Sequence, residues 1–311
     1  MKAERNKTIE LTKEEEKELL LRTIRVNTPV TKEEVIDKTV LGDSLAVMKN
    51  LPHGFADLII VDPPYNLFKD FGGSKFKKSS SIEYEKYTRE WIEALFPLLS
   101  DRGSIYVCCD WESGMVIGNV MREYFNLKNR ITWQREKGRG ALSNWKNGME
   151  DIWFATKGED YTFNLDAVKQ RRRVVAPYKV DGKPKDWEET ADGNFRNTCP
   201  SNFWDDISIP YWSMPENTPH PTQKPEKLLA KLILASSNEG DTVFDPFLGS
   251  GSTSVTAKKL GRHYVGIEQN EGYCALAEKR LLMADTDKSI QGYSDGVFWE
   301  RNTSILQKKY K

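Results

Sequence analysis

The chain has 311 residues, 38% hydrophobic and 30% charged, with Lys+Arg and Asp+Glu both numbering 46. That length accommodates one large α/β domain with a smaller insertion, and no apolar run approaches the roughly 18 residues a membrane span needs. Balanced charge argues neither for nor against nucleic acid, so any such contact has to come from local patches.

Residues 1–37 are charge-dense and carry no apolar segment of the kind a secretory signal requires. Thr12-Lys13-Glu14-Glu15 predicts a capping box opening a helix through Leu19, Leu20, Leu21 and Ile24, and Thr31-Lys32-Glu33-Glu34 predicts a shorter one. On composition this stretch reads as a solvated helical arm. Regular α/β alternation then runs over residues 38–157. Val40-Leu41 leads into Gly42-Asp43-Ser44-Leu45 and an amphipathic stretch through Val47, Met48 and Leu51. The apolar run Leu58-Ile59-Ile60-Val61 reads as a buried strand, stopped by Asp62-Pro63-Pro64-Tyr65. The first proline pushes Asp62 out of helical geometry, so a carboxylate, fixed carbonyls and an aromatic ring share one stiff turn. An ordinary Asp-Pro turn closed by an incidental tyrosine is the plain alternative.

Residues 66–83, rich in Gly, Ser and Lys, read as a loop, followed by helical spacing from Tyr87 to Leu99 and a buried strand from Ser104 to Cys109. A helix over 115–125 precedes two strands, 129–134 and 151–156, joined by a basic loop with Arg135, Lys137, Arg139 and Lys146. Over residues 158–213 the alternation stops. Lys169, Arg171, Arg172 and Arg173 stand there among Trp187, Trp204 and Trp212, a pattern that suits either a nucleic-acid face or a generic solvated insertion. Residues 214–285 restore the pattern: a helix at 224–237, the strand Asp241-Thr242-Val243-Phe244, a Gly-rich turn from Asp245 to Thr253, a helix, a strand ending in Glu268, and a closing helix. Residues 286–311 form a polar tail read as peripheral. The four cysteines, Cys108, Cys109, Cys199 and Cys274, lack metal spacing, and with three histidines no zinc site is expected. A reducing, cytoplasmic setting fits this usage.

Strand, Gly-rich turn, helix, strand and terminal acid follow the logic of a nucleotide-binding βαβ unit. Gly249 and Gly251 allow close backbone approach, and Glu268, 17 residues after Gly251, stands where a carboxylate meets ribose hydroxyls. A dinucleotide fingerprint needs a third glycine, and Ser252-Thr253-Ser254 supplies none, so an adenosine without a pyrophosphate fits better.

Together, Asp62-Pro63-Pro64-Tyr65 and Asp245-Pro246-Phe247-Leu248-Gly249-Ser250-Gly251 resemble the β group of amino-directed DNA methyltransferases that use S-adenosylmethionine. His220-Pro221-Thr222-Gln223-Lys224-Pro225 and Gly42-Asp43-Ser44-Leu45 are similar to two further family elements, and the permuted order also matches. The resemblance, over roughly residues 38–283, implies a Rossmann-like methyltransferase sheet. That sheet is mostly parallel with one antiparallel strand and helices on both faces, and a target recognition domain is inserted in it. It implies that Asp62 and the Pro63 carbonyl accept the N–H groups of an exocyclic amine, and that Tyr65, next to Pro64, stacks on a flipped base. For the cofactor it implies contacts from Asp43, Asp62, Thr222, Gln223, Lys224, Asp245, Phe247, Gly249, Ser250, Gly251 and Glu268, with Asp43 at the adenine amine and Lys224 paired to the methionine carboxylate.

Double-stranded DNA is the implied substrate, held at phosphates by Lys and Arg from 135–146, 66–83 and 169–173. Asp62 at the first motif position leans to adenine N6, with cytosine N4 the neighbouring alternative. A non-catalytic DNA-binding regulator and a nicotinamide oxidoreductase are the rivals from other classes. A cognate restriction endonuclease and a homodimer are further partners the resemblance allows; a membrane partner is not expected.

Overall fold

In the computed structural model, residues 4–67, 69–71, 74–76, 78–135, 143–174, 178–301 and 303 are described. The helices are α1 (Lys13–Leu20), α2 (Lys32–Val35), α3 (Ser44–Met48), α4 (Ser81–Leu95), α5 (Trp111–Tyr124), α6 (Glu226–Ser236), α7 (Ser252–Lys259) and α8 (Glu271–Thr286). The large sheet contains β1 (Lys38–Leu41), β2 (Ala56–Val61), β3 (Leu99–Cys109), β4 (Asn126–Gln134), β5 (Met149–Thr156), β6 (Phe203–Trp204), β7 (Thr242–Asp245) and β8 (His263–Glu268). Their spatial order is β1-β8-β7-β2-β3-β5-β4-β6, and β5 alone runs antiparallel to its neighbours.

The alternation of side chains along β2 explains the layering. Ile59 and Val61 pack with Trp91, Ile92 and Leu95 of α4 and Ile117 and Val120 of α5, while Leu58 and Ile60 pack with Leu228, Leu229 and Leu232 of α6 and Val255 of α7. A strand buried on both faces reads as a continuous apolar run, which is how β2 looks in sequence. Most important for the site, β7 pairs in parallel with β2, through Val243 with Leu58 and Phe244 with Ile59. The Asp-Pro-Pro-Tyr turn and the Gly-rich turn therefore leave neighbouring strand ends at the same sheet edge.

Three expectations change. The amino-terminal arm is docked rather than solvated. The Thr12 capping box forms as expected, Leu19 is buried, Lys279 of α8 bonds Glu15 at 2.6 Å, and Ile24 bridges Val40 beside β1. The interval 158–213 does not stay apart, because β6 lies within it and pairs with Thr132 and Trp133. Nor is the carboxyl-terminal stretch peripheral. Its strand Val297–Trp299 pairs with Gln170–Arg173, and Phe298 is fully buried with Val168, Ala230 and Leu234. A short apolar triplet after a polar segment gives no periodicity from which that docking is legible.

Candidate active site

The carboxyl ends of β1, β8, β7 and β2 enclose a cleft of about 240 Å³. At its floor Asp62 leaves β2 with both carboxylate oxygens engaged. The Tyr65 hydroxyl donates to Oδ1 at 2.8 Å, and the Lys224 ammonium donates to Oδ2 at 2.7 Å. Each oxygen keeps a second acceptor site. Tyr84 steadies the turn from behind, donating its hydroxyl to the Pro64 carbonyl at 3.1 Å. Burial pushes the Tyr65 hydroxyl well above its ordinary pKa, and the Asp62 and Glu150 carboxylates push it the same way, so Tyr65 stays a neutral donor.

Lys224 sits just ahead of α6 and is buried. Burial alone would lower its pKa, but Asp62 and Glu150 outweigh it and hold the ammonium above the ordinary lysine value. Its Nζ lies 3.3 Å from the Tyr65 oxygen and 3.3 Å from Glu150 Oε2. It is no surface charge: the chain itself supplies this lysine with two carboxylates and the Tyr65 hydroxyl.

At the other end, Glu268 terminates β8 and accepts two backbone hydrogen bonds, from Gly249 N at 2.9 Å and from Asn270 N at 2.8 Å. Burial raises its pKa while these donors pull it down. Gly249 has φ +55°, and a Cβ there would come within 3.0 Å of the His220 ring, which packs edge-on against Tyr273 with ring centroids 4.5 Å apart. Gly251 serves a different purpose: with φ +84°, its missing Cβ lets α8 approach, since a methyl would lie 2.6 Å from that of Ala277.

Of the residues expected at the cofactor, Asp43, Asp62, Thr222, Lys224, Phe247, Gly249 and Glu268 line the cleft, as do Pro63, Pro64 and Tyr65. Asp43 also caps α3, accepting from Ala46 N at 2.9 Å. Gln223, Asp245 and Ser250 lie instead around a hollow of about 30 Å³ beneath the Gly-rich turn. Gln223 ties its own loop together, accepting from Thr218 N and Oγ1 and donating to the Glu216 carbonyl. The Ser250 carbonyl accepts from Arg280 at 2.8 Å, and Asp245 accepts from Phe247 N at 2.9 Å. Asp245 and Ser250 shape the turn rather than the cleft wall, as Gly251 does, while Gln223 holds its own loop.

Sequence reasoning missed Tyr87, Glu150, Tyr273 and Asn270, which also line the cleft. Glu150 is the second residue of β5, and because β5 is antiparallel its first residues reach the edge where the parallel strands end. No local pattern marks such a residue. The basic calls also divide. The Arg135 guanidinium is spent on Glu150, and Arg171, with Glu188 at 2.9 Å and the rings of Phe195 and Trp299 at 5.2 and 5.7 Å, is built into a five-stranded sheet that the insertion shares with the carboxyl-terminal strands. Lys169 pairs with Asp166 and Arg172 with Glu300, whereas Arg173 is exposed. Lys137 and Arg139 lie outside the described residues.

An acid-ended strand, a Gly-rich turn and an Asp-Pro-Pro-Tyr turn on adjacent strands of such a sheet define a methyltransferase built around a nucleoside cofactor. Residues 56–279 match the family of N6/N4 methyltransferases described as DNA methylase, and the chain belongs to that family. It is 35% identical over 249 residues to the type II methyltransferase M.HpaI of Haemophilus parainfluenzae, covering 78% of this chain and 74% of that one. It is also 35% identical over 258 residues to the DNA adenine methyltransferase YhdJ of Escherichia coli K12, covering 79% and 83%. Among solved structures, the M1.HpyAVI–SAM complex is similar at 26% identity and TM-score 0.51, covering 78% of this chain and 98% of that one. The cytosine-N4-specific PvuII DNA methyltransferase shares the fold at 17% identity and TM-score 0.61, covering 86% and 91%. The chain is a DNA methyltransferase dependent on S-adenosylmethionine.

The cleft suits that cofactor. Glu268 presents to it a carboxylate whose orientation two amides fix, the glycine at position 249 keeps the wall below His220 open, and Phe247 and Tyr87 supply apolar faces. Among the described residues no group of His, Cys, Asp and Glu is arranged to hold a metal, and no helix is long and apolar enough to cross a membrane.

Proposed function

We propose that this enzyme methylates the exocyclic N6 of adenine in duplex DNA, within a type II restriction-modification system. The observation that carries the reading is the Asp62 carboxylate, fixed at a strand end by Tyr65 and Lys224 and backed by a Pro63 carbonyl in the same cleft. An exocyclic amine is a poor nucleophile because its lone pair is delocalised into the ring. Asp62 and the Pro63 carbonyl accept its two N–H groups, favouring a pyramidal nitrogen whose lone pair faces the methyl donor. S-adenosylmethionine supplies that methyl on a sulfonium. Positive charge grows on nitrogen beside a preorganised anion, and the proton departs late. No thiol takes part in this chemistry, and burial pushes the Cys108 and Cys109 thiols far above their ordinary range.

A stacked base does not reach a cleft of this shape, so the reaction requires base flipping, with Tyr65 receiving the ring. In this assignment Glu268 takes the ribose and Asp43 the adenine amine. Residues 158–213 choose the DNA sequence, together with the carboxyl-terminal strands that complete their sheet. A cognate endonuclease cutting the unmodified site is the partner such a system requires. The adenine assignment is supported by the 35% identity to the adenine methyltransferase YhdJ, and the system by the similarity to the type II enzyme M.HpaI. Cytosine N4 is the second reading, since the same acceptors serve either amine. Incubating unmodified plasmid with the protein and labelled S-adenosylmethionine, then separating the nucleosides, distinguishes the two. N6-methyldeoxyadenosine carrying the label, absent with Asp62→Ala, is expected; label in N4-methyldeoxycytidine alone overturns the assignment.

A further inference from the structure

We propose that Glu150 is a positioning residue for methyl transfer, acting through Lys224 on Asp62 while Arg135 anchors it from the other side. Four groups of alternating charge run inward from the base of the β4–β5 hairpin. The Arg135 guanidinium pairs with Glu150 Oε1, Glu150 Oε2 lies 3.3 Å from Lys224 Nζ, and Lys224 Nζ lies 2.7 Å from Asp62 Oδ2. The Glu150 side chain is 4% exposed and that of Lys224 9%. Glu150 Oε2 makes no hydrogen bond of its own among the described residues, so the Lys224 ammonium is what balances it.

A lysine on a four-carbon stem is held in direction by one carboxylate but not in depth. With an anion on each side, Nζ has a single resting point, and the Asp62 carboxylate is held against it. If Glu150 served only to secure the hairpin, its pairing with Arg135 would suffice, and the second oxygen need not face the catalytic turn. The strand direction is what makes the contact: β5 runs against its neighbours and so delivers its second residue to the carboxyl edge. The groups facing Lys224 are Asp62, Tyr65, Glu150 and the Cys108 thiol, and removing the Glu150 charge withdraws one of the two carboxylates that keep the ammonium protonated.

The inference rests on the reading of Asp62 as the acceptor for the substrate amine, which Asp62→Ala tests separately: an active D62A enzyme refutes that reading itself. The experiment is steady-state methylation of plasmid DNA by E150Q across pH, with melting temperature and S-adenosylmethionine binding measured alongside. Expected is a fall in kcat of about tenfold to a hundredfold, the scale of a small misplacement of a reacting group, with KM for both substrates little changed. An alkaline limb, absent from the wild type, should enter the profile as the Lys224 pKa descends. In a K224M background, E150Q should add no further loss. Wild-type kcat in E150Q, a loss confined to KM for DNA, or a loss that multiplies with K224M and leaves the pH profile unmoved overturns the proposal. Should E150Q not fold, E150D keeps the charge but withdraws it by one methylene; it is expected to lower kcat with KM unchanged, and wild-type kcat there is equally decisive against the proposal.

Discussion

Asp62 and Asp245 are two aspartates at the ends of adjacent strands with opposite surroundings. Asp62 faces a tyrosine hydroxyl and a lysine ammonium and opens onto the cleft. Asp245 is buried under the Gly-rich turn, and burial, then the nearby Asp62 and Glu268 carboxylates, push its pKa from 3.8 to about 7 against its hydrogen bonds. A carboxyl raised on folding favours the folded state most below its unfolded pKa, and that contribution is lost as pH rises through the folded value. Relative to Asp245→Asn, the wild type should therefore lose stability between about pH 4 and pH 7, on the order of 1–4 kcal/mol. Urea denaturation of both proteins across that range checks it, and parallel pH dependences would refute it. Local chemistry made Asp62 legible in sequence, because two prolines behind an apolar run fix a turn whatever surrounds it. The partners of Lys224 were not legible, since Glu150 meets it only through the sheet, and a basic residue such as Arg135 looks the same whether it faces phosphate or a buried glutamate.

At the scale of elements, the Gly-rich turn divides its labour. Gly249 opens the cleft wall, whereas Gly251 lets α8 pack against the turn. Gly251→Ala places a methyl 2.6 Å from the Ala277 side chain at φ +84°, and overpacking together with left-handed strain should cost about 2–4 kcal/mol. Chemical denaturation reads that cost directly, and unchanged stability would mean that α8 can retreat freely. The alternation of strands and helices was legible because buried strands and amphipathic helices carry different periods. Less legible was the start of β3, at Leu99 rather than Ser104, where Gly103 relieves a contact that a Cβ would make 2.4 Å from Leu99. A glycine there reads equally well as a helix stop.

For the whole molecule, segments near both ends of the described chain are docked on distant elements. The amino-terminal arm lies on α8 and beside β1, and the Val297–Trp299 strand lies in the insertion's sheet, so the 158–213 segment is completed by residues more than a hundred positions from its start. Phe298→Ala should cost about 3–5 kcal/mol, as for other fully buried phenylalanines. Because that side chain packs on α6 as well as on the insertion, DNA affinity should fall with stability while the cofactor cleft, which neither Phe298 nor its neighbours Val168, Ala230 and Leu234 line, keeps its affinity for S-adenosylmethionine. Titration calorimetry with the cofactor and gel shift with DNA separate these, and an equal loss of both would show the tail to be a general scaffold. Docking of this kind depends on long-range packing that no short window of sequence contains.

The most direct test is single-molecule sequencing of DNA from cells that express the protein, compared with cells that express Asp62→Ala. Adenine methylation at every copy of one short sequence, absent with the variant, is expected from an Asp62-centred amino-methyltransferase. Methylated cytosine at that sequence, or adenine methylation that survives the loss of the carboxylate, would contradict it.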